Sequence, residues 1–423
     1  MENFLLPKSL LFNDSSKPPI IQGIKEWQER HKVEDYKIGY NRVALITGIT
    51  GQDGIYLTAM LLSPLFMAPF VYQVHGIVRK NSASLPILIN LQETLERQQG
   101  RKVSLTLHYG DVTDPHFMQQ TIHSVKPDEI YNFAAQTHVQ HSFFMPSHTI
   151  DVNFKGLVNI CQAALSLSFA YQRSVRIFHA STSEMFGQTT AQQSDSLMGE
   201  SFPFNPASPY AVSKIASYYL VRYYRSVYQM RISTAISFNH ESPLRHESFV
   251  TRKITKGVAR IKLGIQEKLL VGNLYAKRDW GHARDFVRGF WIINNQELVK
   301  GVRNDSGIDS RQPFEDYVIA TSWSMPVLDF LQEAFKKAGF GQLQLMRDNG
   351  YEQLCSGERV LAKVDPKFLR PGEVPMLRGD PSKIESELGW KAEIQIEGLM
   401  DEMLEYDEQV AKLEMLVRER AKL

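Results

Sequence analysis

Two short stretches bring together the side chains with the clearest capacity for chemistry. In "SPYAVSK", Ser208 to Lys214, Tyr210 and Lys214 stand four residues apart. On a helix that spacing puts them on one face, a turn apart. An ammonium beside a phenol is expected to lower the phenol's pKa from its reference of about 10. Such a tyrosine can take a proton from a hydroxyl while the carbon beneath gives up hydride. Pro209 suits the first position of the helix. In "STSEMFG", Ser181 to Gly187, Thr182 and Glu184 follow the apolar run "SVRIFHA". A carboxylate at the end of a buried strand is costly unless it is paired or used. Beside Thr182 and Tyr210 it supplies a second base, able to remove a proton from carbon next to a newly made ketone and so set up loss of water. A lone Tyr-x-x-x-Lys pair also arises by chance, and a lone glutamate also caps helices or pairs with arginine.

The surrounding elements support the chemical reading. "RVALITG" (Arg42 to Gly48), "YQVHGIV" (Tyr72 to Val78), "VSLTLHYGDV" (Val103 to Val112), "EIYNFAA" (Glu129 to Ala135) and "VRIFHAST" (Val175 to Thr182) are strand candidates. Helix-like segments "LINLQETLERQQG", "PHFMQQTIHSVKP" and "DVNFKGLVNICQAALSL" lie between them. Such alternation predicts an α/β fold, a Rossmann-type doubly wound parallel sheet with right-handed crossovers. Glu184 then sits at the carboxyl end of a central strand, where ligands bind in open sheets. Past residue 240 the pattern loosens into shorter elements, as expected of a smaller C-terminal substrate-binding lobe. The chain divides into an extension (1–41), a nucleotide-binding domain with the catalytic residues (42–240) and a mainly substrate-binding lobe (241–423), with some exchange of segments.

Gly48-x-x-Gly51-x-x-Gly54 falls at the first strand–helix junction. Glycines there allow a tight turn and let the backbone approach a pyrophosphate at the helix N-terminus, although ordinary strand–helix turns share the feature. The second strand ends in Arg79-Lys80-Asn81-Ser82 rather than in an acidic residue. A basic pair suits a 2′-phosphate, which favours NADP over NAD. Asp111, in "GDV", could hydrogen-bond the adenine, and the small residues of "FAAQTH" (Phe133 to His138) leave room for a cofactor.

Composition narrows the class. Of 423 residues, 43% are hydrophobic and 22% charged, which excludes a disordered chain. With 48 Lys and Arg against 46 acids the net charge is +2, without the excess expected of a nucleic-acid binder. Two cysteines far apart, Cys161 and Cys355, argue against a disulfide framework or a clustered metal site and fit a reducing, cytoplasmic setting. The uncharged run from Ile55 to Val74 approaches membrane-span length. Pro64 and Pro69 interrupt it, and it reads as a buried helix, a loop and a strand, so no membrane partner is expected. The first forty residues lack the pattern of a secretory signal. "IIQGIKEWQERHKVEDY" suits an amphipathic helix docked on the main body.

Together these stretches resemble the extended short-chain dehydrogenase/reductase family and, within it, the GDP-mannose 4,6-dehydratases. The resemblance runs from about Arg42 to the low 400s, through "ALITGITGQDG", "GIVRK", "LHYGDVTD", "ASTSEMFG", "SPYAVSKI", "FNHESPLR", "FVTRKIT", "GNLYAKRDWGHARDFV", "DYVIAT" and "RPGEV". It implies a redox-neutral cycle. Tyr210, supported by Lys214, deprotonates the C4 hydroxyl of mannose while NADP takes the hydride. Glu184 then removes the C5 proton, water leaves C6 with help from Thr182, and the hydride returns to C6. The cofactor contacts implied are Gly48, Ile49, Thr50, Gly51, Gln52, Asp53, Arg79, Asp111, Val112, Ala134, Ala135, Gln136, Thr137, Lys214, His240 and Arg245. Those implied for the GDP-sugar are Asn239, Val250, Lys253, Arg278, Arg370 and Glu373, with no metal and a homodimer or homotetramer as the assembly.

This sequence departs from the family's pattern in several places. Arg79-Lys80-Asn81-Ser82 stands for Arg-Arg-Ser-Ser, in a loop that also helps hold the family's tetramers together. His148 replaces a cofactor-contacting tyrosine, Leu244 an arginine, Tyr275 an aspartate and Phe186 a tyrosine. About four extra residues lie between Glu184 and Tyr210, in "QTTAQQSDSLMGE", and the "SPLFMAP" run is longer than the family's turn. Two other readings compete with this one. One is a dehydratase or epimerase on another sugar nucleotide; the other is a binding protein of the same fold with a silent site.

Overall fold

The computed structural model describes residues 5–12, 41–63, 70–188, 196–300 and 314–420, together with the backbone of 303–304 and 307–308. Its main layer is a sheet of β1 (Asn41–Thr47), β2 (Val71–Val78), β3 (Leu105–Tyr109), β4 (Glu129–Asn132), β5 (Arg176–Ala180), β6 (Arg231–Ser237) and the late strand Tyr317–Ile319. The order is 3-2-1-4-5-6 followed by Tyr317–Ile319, and every pairing is parallel. Order reverses between β1 and β4, which opens a crevice at the carboxyl ends of those strands.

Helices cover both faces, so the central strands are apolar on both sides, and β4 is buried throughout. On one face Leu45, Ile130, Ile177 and Ile232 pack under α3 (Pro115–Val125), α4 (Gly156–Tyr171) and α5 (Pro209–Tyr228). On the other, Ile46, Tyr131 and Phe178 meet α1 (Gln52–Leu61), α2 (Leu85–Gln99) and α7 (Ala283–Asn294). At the opposite end from the crevice, Arg42 donates to Glu129 at 2.6 Å and to Asn295 at 2.9 Å, so that a buried charge pair with hydrogen-bonding neighbours joins β1, β4 and α7.

Two junctions set the crevice. β1 ends at Gly48, whose φ is +67°, a left-handed conformation that favours glycine. A Cβ there would meet the backbone nitrogen of Ala134 at 2.8 Å, and one on Gly54 would meet Ile49 Cα at 2.5 Å. The first helical turn therefore lies directly on the strand ends. α5 starts as its sequence suggests: Ser208 accepts from the Ala211 N–H at 3.1 Å and Pro209 occupies the first turn.

A second layer grows from the end of β6. The strand Asn239–Glu241 pairs with Lys277–His282, which also pairs with Ser324–Pro326 and Met376–Leu377. A further four-stranded sheet packs its Leu354 and Leu361 with Ile254 of α6 (Val250–Lys262) and Met400 of α8 (Ile396–Arg420). Two late segments, α7 and Tyr317–Ile319, return to the main sheet.

The strands and helices expected up to residue 182 stand where the sequence places them, within a few residues at each end. The expected helix in residues 20–36, the 64–69 part of the "SPLFMAP" run and residues 189–195 of the insertion lie outside the described residues. Among the described residues no helix is long and apolar enough to cross a membrane.

Replacing Gly48 with alanine adds a Cβ where the backbone already fills the space, at a left-handed position. The variant is expected to lose about 1–3 kcal/mol of stability, measurable by chemical denaturation. An unchanged midpoint would contradict the close approach.

Candidate active site

A cleft opens above the carboxyl ends of β1, β4, β5 and β6, and all four expected catalytic side chains line it, Thr182, Glu184, Tyr210 and Lys214. The loop after β5 begins a short turn, Ser183–Met185, with Thr182 at its start; Thr182 Oγ1 accepts from the Glu184 N–H at 3.2 Å. Glu184 thus projects from a fixed turn. The Arg370 guanidinium lies 3.9 Å from its Oε1, at the limit of an ion pair.

α5 brings Tyr210 and Lys214 to the same place. Lys214 is buried and its Nζ donates to Ala180 O at 2.8 Å. Burial lowers its pKa to about 8. Burial also dominates at Tyr210, pushing the phenol up to about 12, opposed by a hydrogen bond from Thr182 and the charge of Arg245, and aided by the charges of Glu184 and Asp53. The lowered tyrosine pKa expected from the neighbouring ammonium is therefore corrected: desolvation of the phenolate by burial outweighs the groups that lower it.

A set of hydroxyls and an amide, silent in the sequence pattern, positions this helix. Ser142 Oγ accepts from the Tyr210 N–H at 3.1 Å, and Ser213 Oγ donates to Tyr210 O at 2.7 Å. Asn153, buried, donates to Ser213 Oγ at 2.9 Å and accepts at Oδ1 from the Gln136 N–H at 2.8 Å. Its place in "DVNFKG" carries no recognisable signal. These residues connect α5 to the loop after β4.

Most of the expected cofactor residues fall into three groups. Asp53, Ala135, Thr137, His240 and Arg245 line the cleft beside the catalytic residues. Gly48, Ile49, Thr50, Gly51 and Gln52 form the turn into α1, where Ile49 is fully buried and Gly51 is exposed. Arg79 and Asp111 line a separate open depression beyond the ends of β2 and β3. There Asp111 Oδ1 already accepts from the Thr113 N–H at 2.9 Å and the Thr113 hydroxyl at 2.8 Å. Val112 is core, and Ala134 donates its N–H to Thr47 Oγ1 at 3.2 Å. Gln136 turns away, donating to His138 O at 3.1 Å. Gln52 and Asp53 are cross-linked to the start of the second layer: Gln52 donates to His240 O at 3.0 Å and Asp53 Oδ1 lies 3.1 Å from His240 Nε2.

All six expected sugar-nucleotide residues, Asn239, Val250, Lys253, Arg278, Arg370 and Glu373, also line the cleft. Asn239 Oδ1 is buried without a hydrogen-bond partner, an acceptor available to a ligand. Arg278 donates to Val374 O at 2.8 Å and to Glu373 Oε1 at 3.1 Å. Lys253 lies 3.3 Å from the centre of the Phe368 ring, and burial, reinforced by the charge of Lys367, lowers its pKa to about 8. His138, Phe249 and Phe368 complete this wall and were not singled out in the sequence. Of the departures, Phe186 is buried against Phe202, Phe204 and Phe238. Leu244 packs on the main core, while His148 and Tyr275 are exposed outside the cleft lining. Among the described residues no cluster of His, Cys, Asp or Glu is arranged to hold a metal, and both cysteines are free and buried.

A parallel sheet of this order, a glycine turn at β1 and a buried Tyr–Lys pair above β5 define an extended short-chain dehydrogenase/reductase fold. A family model described as GDP-mannose 4,6 dehydratase matches residues 45–403. The chain is 39% identical over 386 residues to GDP-mannose 4,6 dehydratase 2 of Arabidopsis thaliana, covering 91% of this chain and 92% of that protein. It is 40% identical over 372 residues to the GDP-mannose 4,6-dehydratase of Sinorhizobium fredii, covering 86% and 96%. Its fold is similar to that of a dTDP-glucose 4,6-dehydratase from Streptomyces venezuelae solved with NAD and TYD bound, with a TM-score of 0.67, 21% identity and coverage of 87% and 97%. The chain belongs to the GDP-mannose 4,6-dehydratase family.

The Asp53–His240 pair makes a testable electrostatic prediction. Burial pushes the His240 imidazolium down, yet the charge and hydrogen bond of Asp53 outweigh it and hold His240 above its ordinary value. Burial likewise pushes Asp53 up, and His240 with Arg245 holds it below its own. The histidine's contribution to stability is thus complete below its unfolded pKa and lost as pH rises through the folded value. The aspartate's is present above its unfolded pKa and lost as pH falls through its folded value. In Asp53→Asn burial and the charge of Arg245 remain against the single backbone hydrogen bond to Phe238, so His240 followed by NMR should titrate below about 6.5. A midpoint still above that would contradict the pairing.

Proposed function

We infer that the protein is a hydro-lyase that converts GDP-mannose to GDP-4-dehydro-6-deoxy-mannose and water by a redox-neutral NADP cycle. The observation that carries this reading is the convergence of two proton-transfer centres, Tyr210 with Lys214 and Glu184 with Thr182, in one cleft of a chain of this family. Oxidation alone needs only the first. The second gives a reason for a carboxylate where β5 ends.

The residues present fit a dinucleotide. The Gly48–Gly54 turn presents the N-terminus of α1 with Gly51 exposed, which suits a pyrophosphate. Arg79 and Lys80 in the outer depression suit a 2′-phosphate, which makes NADP the better match. Bound there, NADP supplies the chemistry of accepting hydride from C4 and returning it to C6. Tyr210 receives the C4 hydroxyl proton. Burial holds the phenol near 12 and Lys214 near 8, so at neutral pH the lysine still carries a charge, which favours the phenolate form in which Tyr210 takes that proton. Glu184 takes the C5 proton that the C4 ketone acidifies, and the Thr182 hydroxyl hydrogen-bonds the reacting centre as water leaves C6.

Arg278, Arg370 and Lys253 supply cations to the GDP portion, the arginines suiting a diphosphate through their planar forks. Asn239 offers its unpartnered carbonyl, and the backbone and side chain of Val250 close the wall. Glu373 orients Arg278 through their hydrogen bond. The assembly we propose is a homodimer or homotetramer in the cytoplasm, with residues 42–240 carrying cofactor and catalysis and 241–423 mainly the GDP-sugar.

Incubation with GDP-mannose and NADP in heavy water should give a product that has lost one water and gained one solvent deuterium at C5, read by mass spectrometry and NMR. Glu184→Gln and Tyr210→Phe should each reduce kcat by roughly 10²–10⁴-fold. An unchanged sugar, with GDP-mannose still protecting the protein against heat, would replace the enzyme reading by that of a binding protein. Arg79→Ala should weaken NADP binding roughly tenfold or more relative to NAD. Equal losses for both cofactors would contradict the assigned 2′-phosphate contact.

A further inference from the structure

Residues Leu5–Phe12 precede the segment matched by the family model, yet they pack into the body of the protein. Leu10 and Phe12 are buried in the core that contains α1, with Leu10 fully inaccessible. Ser9 joins two elements. Its N–H donates to Glu402 of α8 at 2.8 Å, and its hydroxyl lies 2.7 Å from Tyr56 Oη of α1. Glu402 also bonds His282, at 2.9 Å, and His282 Nδ1 accepts from the Arg284 N–H that starts α7. Tyr406 of α8 donates to Leu5 O at 3.3 Å, and Ser63, just past α1, donates to Phe12 O at 3.4 Å.

The helix α1 carries this tie toward the cleft: Tyr56 and Gln52 stand four residues apart on one face of it. Ser242 Oγ donates to Gln52 Oε1 at 2.7 Å. Gln52 Nε2 then donates to His240 O at 3.0 Å. The face of α1 that Ser9 bonds at Tyr56 is thus the face that Gln52 joins to the second layer, in the first turn beside Gly51.

We propose that residues Leu5–Phe12 are a positioning strap that holds the Gly48–Gly54 turn against the second layer and thereby sets the affinity for the dinucleotide. Ser9 and Tyr56 act through Gln52 and touch none of the four catalytic side chains. The proposal rests on the reading of that turn as the cofactor seat.

The test compares the full chain with a variant lacking residues 1–12 and with Tyr56→Phe, which keeps the ring but removes the hydroxyl bonded to Ser9. NADP binding is measured by calorimetry, amide exchange at residues 49–56 by mass spectrometry, and kcat at saturating NADP. Both variants should bind NADP roughly fivefold more weakly or worse and exchange faster at 49–56, with kcat at saturation unchanged. Tyr56→Phe carries the test if the shortened chain does not fold. Affinity and exchange equal to those of the full chain would overturn the strap. Failure of the intact chain to bind NADP at all would overturn the cofactor seat itself, and with it the strap's proposed role, a result distinct from equal binding in all three proteins.

Discussion

The buried ammonium of Lys214 donates to the carbonyl of Ala180 at 2.8 Å, joining the middle of the second turn of α5 to the last residue of β5. Thr182 and Glu184 follow within four residues along the chain, so this bond helps to fix the relation between the two proposed proton-transfer centres. Its cost is visible in both groups. Burial pulls the lysine down to about 8 and drives Tyr210 up to about 12. A tyrosine and a lysine in water have similar pKa values. Inside the cleft burial disfavours the charged form of each, so at neutral pH the phenol keeps its proton, and a phenolate has to be stabilised before it can take one from a hydroxyl.

The remainder of the architecture keeps that arrangement over the cofactor seat. The crevice exists because strand order reverses between β1 and β4, and Gly48 lets α1 begin within van der Waals distance of the β4 end. Gln52 and Asp53, in the first turn of α1, are committed to His240 rather than free in the crevice. His240 in turn begins the second layer through its strand pairing with Gly281. The glycine turn and the cleft wall therefore share a rigid element, and Asn239, one residue before His240, lines the cleft with its side-chain oxygen buried and unpartnered.

Much of this was legible in the residues. Strand–helix alternation up to residue 182 follows from apolar runs broken by turns, and the capping of α5 from Ser208 and Pro209. The meeting of the four proposed catalytic residues in one cleft was legible because two motifs had to meet at one strand end for either carboxylate or phenol to make sense. Other features depend on contacts that sequence spacing does not encode. The strand Tyr317–Ile319 lies some eighty residues beyond β6 and is short, so nothing local marks it as the neighbour of β6 in the main sheet. Ser142, Asn153 and Ser213 are ordinary polar residues until the fold sets them around α5. The sign of the Tyr210 shift was misjudged because an i, i+4 ammonium is visible in sequence and the depth of burial is not. Residues 5–12 carry apolar side chains, but only the packed core shows that Leu10 and Phe12 belong with α1.

The most direct test of the account follows the hydrogen on C4 of the sugar. GDP-mannose carrying deuterium at C4 is converted in ordinary water, and the product is examined by NMR. The account predicts that the deuterium reappears at C6 of the same molecule, because the hydride leaves and returns within a closed cleft. Deuterium lost to solvent, or retained at C4, would contradict it.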